Sequence, residues 1–138
     1  MKKIFLDSNI FLRFFVPDNE AMHHECVKLF ERIDQGAYRL YTSPIVFLEC
    51  YFMLTRHYAF SVFKVQNALM EIASMRNMTI VSAINTPHAL TLWQKTGMKF
   101  ADCLIATQVR KDMVLCTYDS EFKKISSLDV ATPEQVIK

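Results

Sequence analysis

Short apolar runs alternate along this chain with longer segments of helical period, and that alternation leaves few architectures open. Residues 3–6 (KIFL), 40–42 (LYT), 79–82 (TIVS) and 114–117 (VLCT) read as short buried strands. Residues 9–16 read as a helix stopped before Pro17. Residues 18–34 carry Met22, Cys26, Leu29, Phe30 and Ile33 at helical spacing and end at Gly36. Ser43-Pro44 reads as an N-cap followed by a first-turn proline, opening a helix to about residue 57. Further helices are expected over 61–75, from Thr86-Pro87 to near Gly97, and over 100–111. Residues 119–124 form a turn or short helix, 129–131 a last strand, and Thr132-Pro133 a last helical turn. Strands alternating with helices in this way build an α/β fold around a parallel sheet.

Size and composition narrow the classes. A chain of 138 residues that is 51% hydrophobic favours one folded domain, over residues 1–138, with a substantial core. Its two glycines, Gly36 and Gly97, exclude any glycine-rich phosphate loop. The net charge of +2 is too small to identify a partner. Cys26, Cys50, Cys103 and Cys116 contain no CxxC pair, so a zinc site is not expected. Three of them sit in apolar runs and read as small buried hydrophobes, and the set suits a reducing compartment, hence the cytoplasm. The apolar N-terminus is interrupted by Asp7, Asn9 and Arg13 with no cleavage site after it, and no run is long enough to span a membrane.

Four carboxylates interrupt this apolar pattern. Asp7 ends KKIFLD, Glu49 lies inside IVFLECYFML, Asp102 inside KFADCLIATQ, and Asp119 follows VLCTY. Burying an unpaired charge is costly, and no pattern of lysine or arginine supplies four partners. A divalent cation would serve all four. Asp7 and Asp119 directly follow predicted strands, at the edge where α/β sheets bind ligands. On its helix Glu49 shares a face with Ile45, Phe52 and Met53, and Asp102 with Met98, Ile105 and Ala106. Both stripes are expected to pack on the sheet. Taken singly, Asp7 and Asp119 also suit helix caps. Glu25, Glu31, Glu71 and Glu121 have polar neighbours and read as surface charges. The cluster points to metal-dependent attack on a phosphate ester, with Mg2+ or Mn2+ relieving the repulsion among the acids.

Leu6-Asp7-Ser8-Asn9, the helical Glu49, Asp102-Cys103-Leu104-Ile105-Ala106 and Thr117-Tyr118-Asp119 with Glu121-Phe122 behind resemble, in order and spacing, the PIN domain. The single-domain VapC-type toxins of toxin–antitoxin pairs are the most similar form. The resemblance covers nearly the whole chain. It implies a three-layer α/β/α fold with a parallel sheet of about five strands. It also implies Mg2+- or Mn2+-dependent endoribonuclease activity, with an RNA substrate and a small antitoxin as partner. By position, Asp7, Glu49 and Asp102 match the three core metal-site acids, and Asp119 the more variable fourth. Ser8 and Asn9 follow the first acid as they often do in the family, and Thr117 matches a supporting hydroxyl. Arg13, Lys123 and Lys124 are the candidates for RNA phosphate contact. Phe60, Phe63, Leu69, Met70 and Ile72 read as core, although the resemblance leaves room for a homodimer or partner face there.

Two other readings stay open. A phosphatase using Asp7 as nucleophile would want a second aspartate two residues on, where Asn9 stands. A non-catalytic PIN-like module would bind RNA or protein without needing all four acids.

Overall fold

The computed structural model describes residues 1–138. Its strands are β1 (Lys2–Leu6), β2 (Tyr38–Thr42), β3 (Met78–Ile80), β4 (Met113–Cys116) and β5 (Asp129–Ala131). All pair in parallel, in the order β3-β2-β1-β4-β5. Central strands buried on both faces should be apolar throughout rather than alternating. Ile4, Phe5 and Leu6 of β1 are fully buried, as are Leu40 of β2 and Leu115 and Cys116 of β4.

Seven α-helices connect and cover the sheet. They are α1 (Ser8–Phe15), α2 (Glu20–Asp34), α3 (Pro44–Phe52), α4 (Val62–Ala73), α5 (Thr86–Thr96), α6 (Phe100–Ala106) and α7 (Pro133–Ile137). The chain steps from β1 to β2 to β3 in one direction, then crosses back to β4 on the far side of β1. Right-handed crossovers therefore place α1–α4 on one face and α5–α6 on the other. The reversal also makes the carboxyl ends of β1 and β4 a topological switch point, where ligand crevices form.

Local signals explain the helix starts. Ser43 caps α3 ahead of Pro44, and Thr132 with Gln135 forms a reciprocal capping box on α7. Three expectations need correction. The segment after Ser43 does reach His57, but its last turn, Met53–His57, is π-helical. The helix expected to reach residue 111 stops at Ala106. There the Thr107 hydroxyl turns back to Leu104 O and accepts from the Asn85 N–H, while Gln108 donates to Val81 O and Ala83 O. Phe63 and Met70 are 71% and 68% exposed, so they are not core. The buried stripe of α4 is Val65, Ala68 and Ile72, and those two residues fall on its opposite side.

Candidate active site

Asp7 is the first residue beyond β1. Its N–H donates to Cys116 O at 3.1 Å, which carries the ladder one step past the strand and fixes the residue against β4. Its carboxylate is engaged on both oxygens. Oδ1 accepts from the Ser8 N–H at 2.8 Å, making Asp7 the N-cap of α1. Oδ2 accepts from the Thr117 hydroxyl at 2.7 Å and from Asn9 Nδ2 at 3.3 Å. Asn9 ties the hub together, donating to Thr117 Oγ1 at 3.0 Å and accepting from the Tyr118 N–H at 3.1 Å. Thr117 Oγ1 also accepts from the Asp119 N–H at 3.0 Å, and Asp119 Oδ1 caps the following 3-10 turn, Ser120–Lys124, through the Glu121 N–H. Asp7 and Asp119 are thus helix caps and members of the cluster together.

The other two acids arrive on helices from opposite faces of the sheet. Asp102 lies in the first turn of α6 and is buried beside Cys103, Ile105 and Ala106, as its apolar stripe led one to expect. Glu49 is placed differently from expectation. Val46 and Cys50 of α3, with Leu54 beyond it, pack into the core, whereas Phe52 and Met53 are 40% and 38% exposed. Because α3 is apolar nearly all round, its sequence period does not single out one face. Glu49 stands at the margin of the buried stripe, half-buried, with Oε1 buried and without a hydrogen-bond partner.

The acids repel one another. Burial, then the Asp7 and Asp102 charges, push Glu49 up to about 7, against restraint from the Ser8 hydroxyl and Lys99. Burial, then Asp7 and Asp119, push Asp102 up to about 6, with Lys99 opposing and Glu121 adding to the repulsion. Burial also raises Asp7, while its bonds from Thr117 and Ser8 work in the other direction. As they stand, no three Asp, Glu, His or Cys side chains close into a cage around one point. The donor set is nonetheless all hard oxygen, and the buried, unpartnered Glu49 Oε1 is the kind of atom a divalent cation satisfies. The residues fit such an ion.

Of the basic candidates, Lys123 lines a pocket of about 180 Å³ with Thr117, Asp119, Ser120 and Thr132. Lys124 is paired with Glu121 at 2.6 Å, and Arg13 with Asp18 at 2.9 Å rather than with the cluster. Lys99, which the sequence offered with Arg13 as a partner for Glu49 or Asp102, is exposed and opposes the charge of both. The sequence reading missed Glu121, which it took for a surface charge and which bears on Asp102. Tyr118 adds a strut from α2, its hydroxyl donating to Glu25 Oε1 at 2.7 Å. Only its place between Thr117 and Asp119 hinted at this.

Comparison with known proteins agrees with this architecture. No curated protein matches the chain by sequence. Among solved structures, a chain of VapBC2 from Rickettsia felis, bound to a DNA fragment from their promoter, is similar with a TM-score of 0.67. It is 17% identical, over 94% of this chain and 98% of that one. A chain of a toxin–antitoxin complex from Klebsiella pneumoniae has a TM-score of 0.62 and is 19% identical, over 94% of this chain and 97% of that one. At these identities the likeness speaks for the fold. The PIN domain family profile matches residues 4–128, which include all four carboxylates. The chain belongs to the PIN domain family.

Proposed function

We propose that this protein is a Mg2+- or Mn2+-dependent endoribonuclease and the toxin of a VapBC-type toxin–antitoxin pair. What supports this reading is that four carboxylates from four separate segments bear electrostatically on one another, with Asp7 at the carboxyl end of β1 and one buried oxygen of Glu49 left unpartnered. Such an arrangement is unfavourable by itself and becomes favourable with a hard divalent cation.

Asp7, Glu49, Asp102 and Asp119 would hold the metal. Bound there, it would supply Lewis-acid stabilisation of a phosphodiester and activation of the attacking water. The remaining work falls to the chain. Thr117, Asn9 and the Ser8 N–H fix both oxygens of Asp7, so the first acid is oriented before anything binds. Asn9 and Thr117 also anchor the backbone that carries Asp119. A carboxylate still ionised near neutral pH can take the proton of the attacking water. Lys123 lies beside Asp119, where it can position a phosphate without reading sequence.

The Asp7-nucleophile reading loses ground, because both oxygens of Asp7 are already engaged and Asn9 takes a bracing role. The antitoxin assignment is supported by the toxin–antitoxin complexes among the structural neighbours. The four free, buried cysteines suit a reducing cytoplasm, and no helix is long and apolar enough to cross a membrane.

The test is cleavage of a mixed panel of structured RNAs with Mg2+, with Mn2+ and with EDTA, for wild type and Asp7→Asn. Cutting that needs metal and vanishes in the variant is expected. Metal-independent cutting, or full activity in Asp7→Asn, would overturn the reading. If the protein is a toxin, wild type expressed alone arrests growth and Asp7→Asn does not.

A further inference from the structure

On the α5–α6 side of the carboxylates two aromatic rings stand in the open. Trp93 of α5 is 48% exposed and Phe100, the first residue of α6, is 37% exposed, with ring centroids 5.6 Å apart and planes tilted by 52°. Large aromatics left exposed together are unusual without something to cover them. Their approach is built into the backbone. Gly97 takes the left-handed conformation, φ +67°, and its N–H closes on Trp93 O at 2.9 Å, ending α5. The chain reverses there, buried Met98 anchors the turn, and Phe100 is delivered against Trp93 two residues before Asp102.

The segment that carries the pair is basic. No acidic residue occurs from Ile72 to Ala101, and Lys95 and Lys99, both exposed, lie between the two aromatics in sequence. The ion pairs of the molecule involve Lys3, Arg13, Arg110 and Lys124, so neither lysine is neutralised by a partner. Lys99 sits close enough to Glu49 and Asp102 to oppose their charge, which joins this surface to the carboxylate cluster. Exposed aromatics interleaved with free cations are the elements from which single-stranded nucleic-acid surfaces are made. The rings stack on bases of any sequence, and the cations follow the backbone.

We propose that Trp93 and Phe100, with Lys99 between them and the carboxylates, form a stacking platform for unpaired nucleobases of the RNA strand that enters the carboxylate site. The proposal rests on the endoribonuclease reading and adds which side chains hold the bases beside the site. Duplex RNA, whose bases are already stacked, finds no hold on the platform. Stacking of one base is worth about tenfold or more in affinity.

Trp93 is the only tryptophan of the chain, so its emission reports on the platform alone. Wild-type protein in EDTA is titrated with a short oligouridylate, with a mixed-sequence single strand and with a duplex of equal length. Binding is followed in parallel by the anisotropy of labelled RNA. Both single strands are expected to quench Trp93, and the duplex to leave it unchanged. Trp93→Leu and Phe100→Leu should each weaken single-strand binding about tenfold, with Trp93→Phe restoring most of it. Lys99→Gln and Lys95→Gln should each lower the salt dependence of binding by about one unit of slope. RNA that binds or is cut while Trp93 emission stays constant would overturn the platform alone. So would emission that follows protein concentration rather than RNA, since a second copy of the chain would then be the cover. If no RNA binds or is cut under any condition, the endoribonuclease reading falls together with the platform.

Discussion

Asp7 and Asp119 stand at strand ends and are fastened by their neighbours, whereas Glu49 and Asp102 ride in on helices with little to hold their charge. The strand-end half is a closed network in which Asp7, Asn9, Thr117 and the backbone of residues 118 and 119 satisfy one another. In the helical half, Glu49 Oε1 is buried without a partner, and both acids are raised well above the usual carboxylate range. One half is in place before any ligand arrives. The other is kept by the sheet and helices in a state that only added positive charge relieves. In this account the strand ends set the geometry and the helices create the demand for a cation.

The strongest way to break the comparison is to remove charge. Asp7→Asn and Asp102→Asn should each lower RNA cleavage by more than about a hundredfold, since losing even an outer-shell partner of a metal ligand typically costs about 10- to 100-fold. Initial rates at saturating Mn2+ measure this. The two variants should differ in stability. Asp102→Asn removes like-charge repulsion, so its metal-free melting temperature should equal or exceed that of wild type, whereas Asp7→Asn disturbs a satisfied network and should melt lower.

The bracing residues come next. Asn9→Ala and Thr117→Val keep all four acids but release Asp7, and should cut activity about 10- to 100-fold. Denaturant unfolding should show each destabilised by about 1 kcal/mol or somewhat more, the range for a lost buried hydrogen bond. Unchanged activity in both would mean the closed network is scaffolding only. Tyr118→Phe, which loses the bond to Glu25, should cost about 1 kcal/mol of stability with a smaller effect on rate.

The smallest effect is a dependence on pH. Folded Glu49 and Asp102 keep protons up to about 7 and about 6, against ordinary values of 4.5 and 3.8. Across that window the folded state binds more protons than the unfolded one, so metal-free stability is greatest below it and falls as pH rises through it. Melting scans in EDTA should show this decline, and Glu49→Gln should flatten it. A decline of equal size in the variant would place its source elsewhere.

Legibility in the sequence follows the range of the forces involved. Capping and strand ends are local, so the start of α3 at Ser43-Pro44 and the positions of Asp7 and Asp119 could be read directly. The stripe expected beside Asp102 is buried in the structure, at Met98, Ile105 and Ala106. The face of Glu49 was misread, since α3 is apolar on most sides and its period singles out none of them. The early end of α6 depends on Thr107 and Gln108 meeting residues 81–85, a contact made only in the folded chain. Arg13 shows the same limit, as its pairing with Asp18 is fixed by how the chain turns after α1. The strand order, which decides that Asp7 and Thr117 are neighbours, is likewise tertiary information.

The most direct test of the central claim is a calorimetric titration of RNA-free protein with Mn2+, for wild type, Glu49→Gln and Asp102→Asn. The account predicts saturable binding to wild type, weakened at least about tenfold in each variant, because the helical acids create the demand for the ion. Equal affinity in all three proteins would contradict it and would mean that the helical acids do not hold the ion.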